Sequence, residues 1–142
     1  MGGPFSRLFS AIDEHLISQL VDDELRDRID RMAVPTNDFG YDRWGLSPDV
    51  ALRTLAISRW FYRHYFRVET TGLEHIPPGK LLLIGNHSGQ MAYDGMMVGS
   101  ALALEAEPPR YVRSMIERFF SELPLVNTFM NRTGQLTGTQ QN

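Results

Sequence analysis

The chain of 142 residues has no cysteine, a single lysine and no long apolar run. Without cysteine, disulfides, thiolate nucleophiles and Cys-ligated metal sites are excluded. The formal net charge of −3 argues against a nucleic-acid partner, because such proteins carry a basic excess or patch. No uncharged apolar stretch approaches the roughly 18 residues of a spanning helix, and no signal-peptide core is present. These absences predict a cytoplasmic protein, either soluble or resting on a membrane surface.

Residues 1–48 are predicted to form a helical segment followed by a loop. Apolar residues recur every three or four positions between residues 5 and 33, which is typical of an amphipathic helix. A second start at Asp22 and Asp23 would make this segment two helices in series. Pro35 ends the pattern, and the next residues, up to position 48, are rich in Pro, Gly, Asn and Asp, as loops are.

A further helix is predicted from Ser47 to about Phe66. Serine is a good N-cap, and a proline followed by an aspartate suits the first turn. The end of this helix, residues 59–67, is dense in aromatic rings and arginines. Either it packs on both faces with its arginines reaching solvent, or it forms an interfacial patch, because rings and cations together suit lipid headgroups.

Beyond residue 66 the pattern changes to alternating strands and helices. Strands are predicted over 67–71, 80–85 and 110–114, and helices over 94–106 and 116–122. The continuous apolar run of the second strand is typical of a parallel strand buried on both faces. The order predicts an α/β fold in which N-terminal helices precede a mixed, mostly parallel sheet flanked by helices, with the α/β part spanning residues 49–142.

The stretch from Gly85 to Gly95 carries the residues best suited to chemistry. It joins a predicted buried strand to a helix, at the edge where open α/β sheets bind ligands. His87 can accept a proton from a hydroxyl near neutral pH, and Asp94 can fix its tautomer. Backbone N–H groups at the helix start can hold an oxyanion. Together they would let a bound alcohol attack an activated acyl group directly.

Other interpretations of this stretch stay open. A histidine after a strand is more often a structural hydrogen-bonding group, and Asp94 alone is a good helix N-cap. Ser88 as a nucleophile would make the chain a serine hydrolase, although its spacing from the glycines differs from the G-x-S-x-G elbow. His87 and Asp94 have no third partner at metal-ligand spacing, so neither a metal nor another cofactor is predicted.

Two runs of the sequence resemble the glycerolipid acyltransferase family, the lysophosphatidate acyltransferase-like enzymes. Residues 65–97, YFRVETTGLEHIPPGKLLLIGNHSGQMAYDGMM, are similar to the entry into the family's first motif block. Residues 122–138, ELPLVNTFMNRTGQLTG, are similar to the approach to the second block. The resemblance implies that His87 is the general base on the acceptor hydroxyl and that Asp94 orients it.

The resemblance also implies the partners of the site. The donor would be an acyl thioester of coenzyme A or of acyl carrier protein, and the acceptor a hydroxyl of a glycerol-based lipid. Asn86, Ser88 and Gly89 would line the substrate site. Residues 49–142 would be the N-terminal portion of an acyltransferase domain, and the enzyme would lie peripherally on the inner face of the membrane.

The His–Asp block departs from the family's commonest pattern. Six residues, rather than four, separate His87 from Asp94. The longer spacing resembles the monoacylglycerol and diacylglycerol acyltransferase-like branch.

The second and third blocks depart further. The arginine that ends the second block and contacts an acceptor phosphate in the family has no counterpart here. Either Arg113 or Arg132, with Gly134 nearby, would bind the acceptor instead, or these arginines are surface residues. The third block, a Phe-Pro-Glu-Gly-like motif, does not occur before Asn142. This indicates a truncated chain, for which a non-catalytic, membrane-binding fragment is the alternative prediction.

Overall fold

The computed structural model of the chain describes residues 17–32, 34–87, 89 and 92–138. The helix predicted from residue 5 therefore lies partly outside the described residues. Its described part consists of two pieces, α1 (Ser18–Leu20) and α2 (Asp23–Arg31). Asp22 caps α2, because its side chain accepts a hydrogen bond from the backbone N–H of Leu25 at 3.0 Å. The version with two helices in series is confirmed.

The predicted helix ending near Phe66 is also confirmed. Helix α3 (Pro48–Trp60) is capped by Ser47, whose side chain accepts from the Val50 N–H, and it continues as a π-helix (Phe61–Tyr65). In the π-helix the Phe66 N–H donates to the carbonyl five residues back, at 2.8 Å. The wider turn changes the direction in which the aromatic side chains leave the helix.

The remaining elements are short apart from one helix. A 3₁₀ turn (Leu73–His75) precedes α4 (Tyr93–Leu104), which confirms the helix predicted over 94–106. Next come β1 (Met115–Ile116), α5 (Arg118–Glu122), α6 (Val126–Arg132) and β2 (Leu136–Thr137). Strands β1 and β2 pair in parallel, with Met115 opposite Leu136. The part of the chain that the structure describes is about half helical with one small two-stranded parallel sheet, which is compatible with the α/β class.

The strands predicted over 67–71 and 80–85 are wrong in the part of the chain that the structure describes. Arg67 has φ +49, and the Val68 N–H donates to the Tyr62 carbonyl at 3.0 Å, so the chain turns back on the π-helix. A buried parallel strand needs hydrogen-bonded neighbours and a helix on each face. The side chains of residues 81–84 are instead 40–88% exposed. The mostly parallel sheet expected from the sequence is thus narrower than predicted.

The strand predicted over 110–114 is wrong in position: none of these residues is in a strand, which lies just after them at 115–116, and the helix predicted from residue 116 begins at Arg118. The Arg110 N–H donates to the Leu102 carbonyl at 3.1 Å, and its guanidinium donates to the carbonyls of Pro77 and Gly79. These bonds hold the start of the segment against the end of α4. Ladder pairing then begins at Ser114, whose carbonyl accepts from the backbone N–H at position 136 at 2.9 Å.

Helices α2, α3 and α4 share an apolar core. Packing against α2 and α3 fixes the position of α4. Leu25 is buried from α2, Leu55 from α3 and Ala101 from α4. Arg28 of α2 donates from Nε to the Ala103 carbonyl at 2.7 Å and binds two further acceptors at the same end of α4. A cation there complements the negative end of the helix dipole. Within the described ranges, no helix is both long and apolar enough to cross a membrane.

Candidate active site

The structure brings His87 and Asp94 into direct contact. Nδ1 of His87 lies 2.9 Å from each carboxylate oxygen of Asp94. The imidazole side chain is 57% exposed, whereas the carboxylate is 27% exposed. The aspartate therefore sits deeper, and the histidine stands between it and solvent.

The start of α4 determines where the carboxylate lies. Asp94 occupies the first turn of this helix, and its Oδ1 also accepts a hydrogen bond from the Gly95 N–H at 2.7 Å. The positive end of the helix dipole favours an anion at this position. The carboxylate is therefore held by α4 itself while it contacts the imidazole.

A glycine with a left-handed backbone conformation lies between the two residues. Gly89 has φ +98, in the left-handed region that a glycine adopts without a steric penalty. Gly89 and Asn86 are both exposed beside His87. Ser88, predicted as a substrate contact or as a nucleophile, lies outside the described residues.

The geometry of the pair suits a general base. When Nδ1 carries a proton and donates it to the carboxylate, the lone pair of the imidazole is on Nε2. An exposed Nε2 can then accept a proton from a bound hydroxyl, and the adjacent carboxylate stabilises the imidazolium that forms. The same contact would also serve a purely structural hydrogen bond, so its chemistry has to be tested.

The other predicted site residues lie in a second cluster. Arg113 forms an ion pair with Asp42, and the Arg132 guanidinium lies 3.4 Å from the centroid of the Tyr41 ring. Both contacts hold the loop at residues 41–46 against the C-terminal segment. The hydrogen bonds of Arg113 to Asp42 and of Arg132 to the Gly45 carbonyl belong to this second cluster. The predicted role of the two arginines in acceptor binding stays a prediction.

Gly134 belongs to the same cluster and is buried. Its φ is +74, and a Cβ there would lie 3.0 Å from Leu46, 3.1 Å from Tyr111 and 3.2 Å from Arg113. The position therefore requires glycine for packing and for backbone conformation. Burial also raises the pKa of the neighbouring Tyr111 to about 12, and its hydroxyl donates to the Thr133 carbonyl at 2.7 Å.

Sequence reasoning missed Asp42, which organises this second cluster. Its Oδ1 accepts hydrogen bonds from the backbone N–H groups of Trp44 and Leu46, each at 2.8 Å, while its Oδ2 accepts from Arg113. An aspartate that bonds the N–H two residues later forms an Asx turn. The Asp-x-x-Gly pattern at residues 42–45 was the local signal for this turn.

A ring contact connects the site to the preceding helices. The rings of Phe66 and Tyr93 lie 5.5 Å apart, centroid to centroid. Tyr93 is the first residue of α4 and directly precedes Asp94. The aromatic end of the π-helix and the His–Asp pair therefore meet at the start of the same helix.

Comparison with known proteins gives the class. A family model described as acyltransferase matches residues 67–142, more than half of the chain and the whole stretch that holds the His–Asp pair. The chain belongs to this acyltransferase family.

The similar proteins are uncharacterized, so they do not indicate a reaction. An uncharacterized protein of Mycobacterium leprae is 30% identical over 103 residues, which are 70% of this chain and 28% of that protein. Uncharacterized proteins of Mycobacterium bovis and Mycobacterium tuberculosis are 31% identical over the same extents. The chain thus spans 28% of the length of these relatives. No solved structure matches the chain.

Proposed function

We propose that the protein transfers a fatty acyl group from an acyl thioester to a hydroxyl of a glycerol-based lipid. His87 acts as the general base, and Asp94 orients it. The observation that carries the proposal is the pair of 2.9 Å contacts between Nδ1 of His87 and the carboxylate, in a chain of the acyltransferase family. The donor is an acyl thioester of coenzyme A or of acyl carrier protein.

The proposed reaction is a direct transfer without an acyl-enzyme. Nε2 of His87 takes the proton of the acceptor hydroxyl as its oxygen attacks the thioester carbonyl. The tetrahedral intermediate collapses, the C–S bond breaks, and the imidazolium returns the proton to the departing thiolate. Backbone N–H groups near the start of α4 are suited to the oxyanion. The lack of cysteine fits a route that needs no thiol nucleophile.

The six-residue separation of the pair supports an acceptor like those of the monoacylglycerol and diacylglycerol acyltransferase-like branch. The engagement of Arg113 with Asp42 and of Arg132 with Tyr41 also favours an acceptor without a phosphate. A peripheral position on the inner face of the membrane would give the site access to such lipids.

The test is acyl transfer by the His87→Ala variant. Released coenzyme A thiol can be followed with a thiol-reactive dye, because the protein contributes no thiol background. Loss of the base is expected to reduce the rate by about 10² or more. His75→Ala is a matched control, since His75 is also exposed and pairs with a neighbouring acid, Glu74. Activity of His87→Ala within a few-fold of the parent would refute the assignment.

The second candidate is a non-catalytic, membrane-binding role. It is favoured by the exposed aromatic rings of residues 60–66 and by the exposed apolar residues 81–84. Vesicle binding by a protein that transfers no acyl group to any glycerol-based acceptor would support this role. Acyl transfer that depends on His87 would contradict it.

A further inference from the structure

A cleft opens between the end of α2 and the second cluster. It has a volume of about 410 Å³, which lies within the range of roughly 300–1,000 Å³ that small-molecule sites occupy. The polar part of its lining consists of two guanidinium groups, those of Arg43 and Arg113, and one carboxylate, that of Asp42. The apolar and aromatic part consists of Met32, Val34, Pro35, Trp44 and Tyr111.

An apolar recess adjoins this cleft. Met32, Val34 and Tyr111 line both spaces, and the recess has a volume of about 150 Å³. An apolar cavity of about 150 Å³ holds a group the size of benzene, which is about six carbon atoms. The recess therefore suits the end of an alkyl chain, whose removal from water is favourable. Its other apolar lining residues are Ile29, Leu46, Pro48 and Ala51.

The Arg113 guanidinium has one donor group without an acceptor. Nη2 donates to Asp42, whereas Nη1 is buried and has no hydrogen-bond acceptor in the part of the chain that the structure describes. Such a donor is costly, because it has lost water without gaining a replacement. Because Arg113 lines the cleft, an oxygen atom of a ligand bound there would supply the missing acceptor.

The charges that line the cleft and the recess differ in sign. In the cleft Arg43 and Arg113 outnumber Asp42, which leaves one excess positive charge. The Arg43 guanidinium lies 4.5 Å from the centroid of the Trp44 ring, so the ring holds this cation in place. In the recess the charged lining residue is Asp30, an exposed acid of α2. An anionic head is therefore attracted to the cleft and repelled from the recess.

The cleft is separate from the His87–Asp94 pair. Tyr111 follows Arg110, whose N–H donates to the Leu102 carbonyl near the end of α4, whereas Asp94 lies in the first turn of that helix. A helix of twelve residues is about 18 Å long. A ligand in the cleft therefore lies near the end of α4 that is opposite the candidate active site.

We propose that the cleft and the recess together bind a single-chain alkyl carboxylate, the anion of a fatty acid. The carboxylate lies in the cleft, where it accepts a hydrogen bond from Nη1 of Arg113 and pairs with Arg43. The alkyl chain passes Val34 and ends in the recess. A singly charged head is favoured over a phosphate, because a second negative charge would be repelled by Asp42. This ligand site is independent of the proton transfer proposed for His87.

Calorimetric titration with decanoate tests this site, at concentrations below those at which the probe forms micelles. We expect one saturable site per chain. Three comparison probes, 1-decanol, decyl phosphate at pH 8 and butyrate, lack the charge, carry a second charge or lack the long chain, and each is expected to bind at least tenfold more weakly. No saturable binding of decanoate, or equal affinity for decanoate and any comparison probe, would overturn the proposal.

Two variants test the two parts of the site. Arg43→Gln removes an exposed cation of the cleft, and Val34→Phe fills the space beside the recess; each is expected to weaken decanoate binding about tenfold or more. Arg53→Gln is the control for the first, because Arg53 is an exposed arginine that pairs with Asp49. Val50→Phe is the control for the second, because Val50 is also half-buried.

Both controls are expected to bind decanoate like the parent. Unchanged binding by either cleft variant, or equal losses in its control, would overturn the proposal. Circular dichroism checks that each variant is folded, and the exposed position of Arg43 makes Arg43→Gln the decisive change.

The His87→Ala variant separates this ligand site from the proposed chemistry. It is expected to bind decanoate with the parental affinity, within about twofold. Loss of decanoate binding in this variant would place the anion at the candidate active site and overturn the proposal. Acyl transfer that does not depend on His87, together with saturable decanoate binding in the cleft, would contradict the proposed function and sustain the ligand site.

Discussion

Replacement of Asp94 by asparagine tests whether the negative charge of this side chain contributes to the proposed catalysis. The amide keeps the size of the side chain and one oxygen that can accept from Nδ1 of His87. It removes the negative charge that would stabilise the imidazolium during proton transfer. The variant is therefore expected to keep its fold, bind substrate normally and lose rate in the chemical step.

The size of the loss follows from the contact distance. A unit charge pair 2.9 Å apart is worth about 1.4 kcal/mol when screened as in bulk water and about 6 kcal/mol at an effective dielectric constant of 20. Because the imidazole side chain is 57% exposed, water screens the interaction and its energy lies near the lower value. A loss of about 1.4–2 kcal/mol corresponds to a rate roughly 10- to 30-fold lower.

The assay is the release of coenzyme A thiol at saturating donor, with the acceptor in phosphatidylcholine vesicles. Asp49→Asn is the matched control, because Asp49 also lies in the first turn of a helix, where it pairs with an exposed arginine. The control is expected to keep parental activity. An Asp94→Asn variant with a kcat within threefold of the parent would refute a catalytic role for the carboxylate, and an unchanged kcat with a raised KM would move its role to binding.

Two further predictions concern the second cluster. Gly134→Ala is expected to cost about 2–3 kcal/mol of unfolding free energy, because the added methyl overpacks the cluster and strains a positive φ. Gly40→Ala, with a similar φ of +77 and open space around it, isolates the strain and is expected to cost about 1 kcal/mol in the same denaturant titration; equal costs would contradict the packing argument. Burial raises the pKa of Tyr111 to about 12 in the folded state, above its ordinary value of 10.0. Above pH 10 the unfolded chain loses this proton while the folded protein keeps it, so stability present below pH 10 declines up to about pH 12, by at most about 2.7 kcal/mol. Tyr111→Phe is expected to flatten this decline in melts between pH 9 and 11, and an unchanged pH profile would contradict the assignment.

The helices and the His–Asp contact were predictable because their determinants are local. Asp22 and Ser47 are recognisable caps, and each begins a helix within one residue of its predicted start. Asp94 follows His87 by seven residues, across a glycine that permits a reversal. Two residues only seven positions apart are close along the chain, which makes a contact between them predictable.

The sheet was not predictable in the same way. Residues 80–85 have the composition of a buried strand, but composition does not supply the neighbouring strands that such a segment needs. The strands that pair, β1 and β2, are two residues long and lie about twenty positions apart. The segment before β1 is held by the bonds of Arg110 to Leu102, Pro77 and Gly79, none of which has a sequence signal.

The N-terminal helices affect the position of the His–Asp pair through their contacts with α4. The family match begins at residue 67, yet Arg28 of α2 binds the carbonyls of Ala103 and Ala106 at the end of α4 that lies opposite Asp94. A helix of twelve residues transmits a shift at one end to the other, since its backbone bonds make it rigid over about 18 Å. The position of the carboxylate beside His87 therefore depends on contacts made before the matched region begins. A short motif can identify the pair. The orientation of α4, which determines where the carboxylate lies, depends on distant residues.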